Sequence, residues 1–292
     1  MIYDIRHVTT YEYESAVSFA RCTLRLEPSS GSGQELISHS VDIRPRPVER
    51  TARRDFFGTL TESIVIDKSH RNLRIDSRSR VKLSRTPPER SAPSPAWETV
   101  RDAAFAATSL GPSSPIGYVF ASALVPIQKP VTDYAAVSFP VGAGIIAGAA
   151  ELMHRIRSEF RYDPKATVIS TPLREVFANR HGVCQDFAHV MIAGLRGLGL
   201  PAAYVSGYLR TTAPEGQPRL QGADATHAWV SLWCGEELGW LGFDPTNDLI
   251  VANDHIILGT GRDFADISPV DGVIVGSPKQ KLGVAVDVIP VV

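Results

Sequence analysis

The chain reads as an α+β protein: a small β-sandwich first, then a domain in which a helix packs against an antiparallel sheet. Three observations point there. Residues 1–83 show period-two apolar patterning without a helical stripe. Residues 84–96 are rich in proline and serine. From Gly142 apolar residues recur first at helical and then at strand spacing.

In the first part, Ile2–His7, Ser18–Glu27, Ser38–Arg44, Leu60–Asp67 and Leu73–Leu83 carry the β-branched and aromatic residues of strands. Turn formers such as residues 28–33 and Phe57-Gly58 separate them. His7, His39 and His70 stand alone and suggest no site. Residues 84–96 read as a linker, so the expected division is 1–83, 84–96 and 97–292. Residues 97–134 mix short helical possibilities with prolines and follow no single pattern.

Ile146, Ala150, Met153, Ile156 and Phe160 then form one helical stripe, which Tyr162-Asp-Pro164 ends. A short helix is expected near Leu173–Ala178. Residues 180–189 open a longer one, with Phe187, Met191, Leu195 and Leu198 as its buried stripe and Gly199 as its stop. Strands follow at Ala202–Arg210, Thr226–Trp233 and Leu238–Asp244, with a polar loop at 211–225 between the first two. The tail from Val251 holds strand-like runs at Val273–Val275 and Val284–Val292, placed with the second domain as a C-terminal extension.

A net charge of −1 gives no field to recruit nucleic acid or an anionic membrane. No apolar stretch is long enough to span a bilayer, and the first residues lack a signal-peptide core. Cys22, Cys184 and Cys234 form no disulfide framework and suit a reducing compartment, so a cytoplasmic location is expected.

Cys184 lies two residues after Gly182 at the start of a helix, where unpaired N–H groups and the helix dipole favour a thiolate and can cradle an oxyanion. Gly235-Glu236 suits the centre of a two-residue type II′ hairpin. In that register paired numbers sum to 234 + 237 = 471, and 471 − 227 = 244, so His227 faces Asp244 directly across the strands. A nucleophile, a base and an orienting acid are the minimum set for covalent acyl transfer. Asp186 and Gln185, beside the nucleophile, and Trp229, on the His227 face, are supporting or cleft candidates. Arg262, Asp263 and Asp266, in the tail, could line the substrate cleft or lock the tail to the core, the lock being favoured, and Cys234 is expected to be a partly exposed thiol at the hairpin tip. No metal is expected: His181, Cys184 and His189 lack a paired Cys-x2-Cys and a fourth ligand.

The segments Gly182-Val-Cys-Gln-Asp-Phe-Ala188, 195–208, Thr226-His-Ala-Trp-Val230 and Gly242-Phe-Asp-Pro-Thr-Asn247 together resemble the bacterial transglutaminase-like superfamily. The tail block from His255 through Gly261-Arg-Asp-Phe-Ala-Asp-Ile-Ser-Pro269 is similar to a subgroup with an N-terminal β domain, provisionally described as cysteine proteases. The resemblance implies a papain-like core, a Cys184–His227–Asp244 triad, no cofactor, and a peptide or protein substrate. It implies amide hydrolysis through a thioester, with protein-glutamine amine transfer or a non-catalytic peptide-binding module as alternatives. The tryptophan that animal members use as an oxyanion donor has no counterpart here; the Cys184 N–H is the expected donor.

Overall fold

A computed structural model describes residues 1–211, 225–276 and 279–291. The expected loop at 211–225 and the last residue of the expected terminal strand, Val292, therefore fall largely outside the described residues. The N-terminal part contributes β1 (Ile2–Val17), β2 (Phe19–Leu24), β3 (Gln34–Arg44), β4 (Glu49–Arg54), β5 (Leu60–Ile66) and β6 (His70–Leu83). The remainder forms α1 (Trp97–Phe105), α2 (Lys129–Ala136), α3 (Ile145–Glu159), β7 (Arg161–Tyr162), α4 (Leu173–Asn179), β8 (His181–Gly182), α5 (Cys184–Gly197), β9 (Ala202–Leu209), β10 (Ala225–Trp233), β11 (Trp240–Asp244), β12 (Leu249–Ile250), β13 (His255–Gly261), α6 (Phe264–Ile267), β14 (Val270–Val275) and β15 (Gln280–Val291).

Two four-stranded antiparallel sheets, ordered β15-β1-β6-β3 and β14-β2-β5-β4, form the sandwich. The tail was expected to extend the second domain; instead β14 pairs with β2 and β15 with β1, so the chain returns to complete both N-terminal sheets. Pairing between strands more than 200 residues apart leaves no trace in local patterning. β4 was not expected either. Its sequence, ERTARR, is exposed throughout and charged, as suits an edge strand that must not recruit another.

β1 and β6 are long because they serve two cores. Tyr13, Val17, Leu73 and Ile75 at one end pack into the sandwich. Tyr3, Ile5, Val81 and Leu83 at the other pack on Tyr208, Ile256 and Leu258 of the second domain. The buried His7 ring, bonded through Nδ1 to the Tyr208 hydroxyl at 2.8 Å, sits on this seam. Burial pushes its pKa down to about 4, so it stays neutral there.

The second domain holds a five-stranded antiparallel sheet, β12-β11-β10-β9-β13. α5 lies against it: Phe187, Met191 and Leu195 share a core with Ala228, Val230 and Leu232 of β10. Arg196 is buried near the end of α5 and donates to the carbonyls of Tyr118, Ala202 and Arg262. In the tail, Asp263 ties the segment to the rest of the domain, while the Arg262–Asp266 pair is internal to it. Arg262 pairs with Asp266, and Asp263 accepts from the backbone N–H groups of Leu124 and Ala265. Among the described residues no helix is long and apolar enough to cross a membrane.

Gly207 of β9 stands opposite His227 in the pairing register. A Cβ there would lie 2.1 Å from the Ile256 carbonyl oxygen and 2.5 Å from the Trp229 ring. Because the backbone oxygen cannot yield, Gly207→Ala is expected to cost about 3 kcal/mol and to displace Trp229. Chemical denaturation of the variant measures the loss.

Candidate active site

The helix that carries Cys184 is fixed at its start. Asp186 Oδ2 accepts the Val183 N–H at 2.9 Å and the Thr167 hydroxyl at 2.6 Å, closing the first turn of α5 and pinning the preceding loop to it. Gly182 is needed for this closure, since a Cβ would sit 2.6 Å from that same carboxylate oxygen. Asp186 thus braces the helix. Burial raises its carboxyl pKa, against the pull of the Thr167 and Val183 bonds. Cys184 and Gln185 follow, both half-buried, in the turn whose N–H groups have no helical partners.

His227 comes from β10 and Asp244 from the end of β11. Their hairpin is not the expected two-residue turn. Trp233 pairs with Trp240, so the numbers sum to 473, and 473 − 227 = 246. Asp244 is therefore His227's diagonal neighbour. The connection runs from Cys234 to Gly239, closed by Cys234 N–H to Gly239 O and Gly239 N–H to Gly235 O, both at 2.8 Å. Leu238 explains the extra length: it turns inward to pack on the core, and Cys234 is buried with it rather than exposed. A shift of two residues leaves every side chain on its original face. His227 Nε2 still meets Asp244 Oδ2, at 2.8 Å.

With Nε2 committed to Asp244, Nδ1 is the ring nitrogen left for another partner. Burial pushes the imidazole pKa down, but the bonds and charges of Asp244 and Cys184 outweigh it and push it up to about 10. Burial likewise raises the Asp244 carboxyl, and the bonds from His227 and His255 overcome this and hold it well below the usual carboxylate range. Imidazole and carboxylate thus form a buried pair, with the imidazolium favoured.

Two residues at the site had not been assigned roles from sequence. His255 Nε2 meets the same Asp244 oxygen at 3.1 Å, and Asn247 Nδ2 donates to it at 2.8 Å. The other oxygen, Oδ1, takes the backbone N–H groups of Thr246 and Asn247. The signal for both lay in the motif blocks that contain them, Gly242–Asn247 and the tail from His255. Trp229 is fully buried with Val205, Val251 and Ile257, its ring 6.1 Å from that of His227 and 5.2 Å from that of His255. It both fills the core and covers the two imidazoles. Trp229 also lines a cavity of about 750 Å³ between the sandwich and the sheet.

The ligand atoms of His227, Asp244 and His255 lie within 4.8 Å of one another, close enough to hold a divalent ion. Asn247 aims an N–H at their shared oxygen, which suits a network held together by protons. His189 of the His181–Cys184–His189 set is turned elsewhere: its ring lies tilted against Tyr204, centroids 5.0 Å apart, and accepts the Phe264 N–H.

Residues 3–82 match the bacterial transglutaminase-like N-terminal region, and residues 142–245 match the transglutaminase-like superfamily. An uncharacterised Mycobacterium tuberculosis protein is 39% identical over 99% of this chain and 92% of its own length. An uncharacterised Mycobacterium leprae protein is 30% identical over 97% and 96%. A protein-glutamine gamma-glutamyltransferase of Pseudomonas aeruginosa is 33% identical over 122 residues, 39% of this chain and 18% of that protein. Among solved structures, a Cytophaga hutchinsonii protein provisionally assigned as a cysteine protease superposes with a TM-score of 0.76, covering 100% of this chain and 91% of that one at 19% identity, a likeness of fold. With a relative matched end to end at 39% identity and both of its parts recognised in order, the chain belongs to the bacterial transglutaminase-like superfamily.

Proposed function

We propose that this chain hydrolyses amide or peptide bonds through a thioester on Cys184. The observation that carries the reading is the buried bond from His227 Nε2 to Asp244 at 2.8 Å, with Cys184 at the start of α5 among the groups that raise the pKa of the ring. His227 takes the thiol proton, and the sulfur attacks the carbonyl. The helix-start N–H of Cys184 faces the developing oxyanion. The imidazolium then protonates the leaving amine at Nδ1, and the same ring activates the water that releases the acid. Asp244 keeps the ring in the tautomer and orientation that both halves need. The proposed partner is a peptide or protein, not nucleic acid or membrane. The proposed location is the cytoplasm, in keeping with three free cysteines.

The rim of the site suggests which peptides fit. Tyr162, on the strand beside His181-Gly182, is half exposed, and Val168 and Ile169 stand out on the loop that Thr167 pins to Asp186. This apolar lip favours substrates with an apolar residue beside the reacting carbonyl.

A second reading is amine transfer, favoured by the name of the Pseudomonas relative. It uses the same thioester, captured by a lysine or small amine instead of water. Mass spectrometry of glutamine-containing peptides, incubated with and without a primary amine, separates the two. Fragments or deamidated peptide with no adduct are expected. An amine adduct as the main product would replace hydrolysis with transfer. No product under either condition, with an inert Cys184, would leave a peptide-binding module.

A further inference from the structure

We propose that His255 is a positioning residue of this site, a second imidazole on the catalytic carboxylate that carries the seating of the N-terminal domain into the alignment of the triad. The inference rests on the triad reading above.

Asp244 Oδ2 faces two imidazole nitrogens, Nε2 of His227 at 2.8 Å and Nε2 of His255 at 3.1 Å. A carboxylate can only accept, so both nitrogens carry hydrogen. The Nδ1 of His255 is buried and has no partner. The ring thus has a single task, its bond to Asp244. A buried histidine with one bare nitrogen is costly unless the bond made by the other is needed. The carboxylate is itself fully buried, and burial favours its protonated form. Every donor on it therefore helps to keep it an anion that can hold an imidazolium.

The groups facing the pair are few. From β10 come His227 and the edge of Trp229, 5.2 Å from the His255 ring. After β11 come Asn247 and the Thr246 N–H. Behind His255 its carbonyl accepts from the Arg85 guanidinium. That guanidinium also donates to Ser32 O and to Gln34 Oε1 of the sandwich, and Gln34 in turn bonds both the N–H and the carbonyl of Ile257. Asp254, next along the chain, is engaged by Tyr3 and Arg210. Residues 84–85, expected as free linker, thus form a strap that registers β13, and His255 with it, against the N-terminal domain. This gives the sandwich a part in the chemistry without any residue of its own in the cleft.

The test uses the full chain and needs no substrate: the rate of Cys184 alkylation by iodoacetamide as a function of pH. His255→Phe keeps a ring and removes the donor, and His255→Gln restores an N–H at similar reach. In His255→Phe the acid limb of the profile is expected to move up by about one pH unit, with a rate near pH 5 about tenfold lower, because Asp244 loses a donor that fixes it and holds the His227 ring less firmly in place. His255→Gln is expected to recover most of the shift. Ring N–H resonances give a second readout: wild type shows two shifted downfield by the shared carboxylate, and His255→Phe shows one. A folded His255→Phe protein with an unmoved acid limb, or one moved down, overturns the proposal. If His227→Ala alkylates as fast as wild type, the triad reading itself falls; if only the His255 variants behave as wild type, that reading stands and this inference alone is lost.

Discussion

Replacing Cys184 with alanine is expected to lower amide turnover by about 10,000-fold or more while the protein stays folded. The nucleophile has no substitute nearby. Cys22 is buried in the sandwich, where burial pushes its thiol up to about 11, and burial also raises the Cys234 thiol, sealed in the second core. Neither can offer a thiolate to a substrate. The half-buried Cys184 side chain contributes little to the core, so the loss falls on chemistry and not on stability. Turnover of a cleaved peptide, measured beside a thermal melt, separates the two effects.

Asp244 is the position where chemistry and stability are lost together. Asp244→Asn retains the shape but presents the wrong partner to the imidazole, and about a 10,000-fold drop in turnover is expected. Asp244→Ala removes the acceptor for His227, His255, Asn247 and two backbone N–H groups in a buried site. A cost of about 3–5 kcal/mol is expected, visible in chemical denaturation. The pH dependence of stability has a definite sign. The His227 pKa is raised on folding from 6.5 to about 10, so its contribution is full below about pH 6.5 and is lost as pH climbs toward 10. The Asp244 pKa is depressed, so its contribution is present above about pH 4 and is lost only as pH falls through its lower folded value. The melting temperature of wild type is therefore expected to decline between pH 6.5 and 10, and Asp244→Asn to flatten that slope.

The sequence carried the site better than the hairpin that displays it. The assumed two-residue turn put His227 and Asp244 in direct opposition, whereas Leu238 draws extra residues into the turn and makes them diagonal neighbours. The pair survived because strand side chains alternate with period two, and an error of two residues is invisible to that alternation. Helices α3 and α5 were legible from their apolar stripes, and Gly199 ends α5 with the positive φ, 78°, that favours glycine. What local reading could not reach was contact between distant segments. The tail strands found their partners near the N-terminus, and His255 reached Asp244 from a strand on the far edge of the sheet. The charged edge strand β4 carried no apolar pattern to read.

The claim at the centre is that Cys184 and His227 share a proton as one unit. Mass spectrometry of the native protein after brief exposure to iodoacetamide at pH 6, beside His227→Ala, tests it most directly. Wild-type Cys184 should be modified about tenfold faster than in the variant, with Cys22 and Cys234 unlabelled in both. Equal rates at Cys184 in the two proteins would contradict the account.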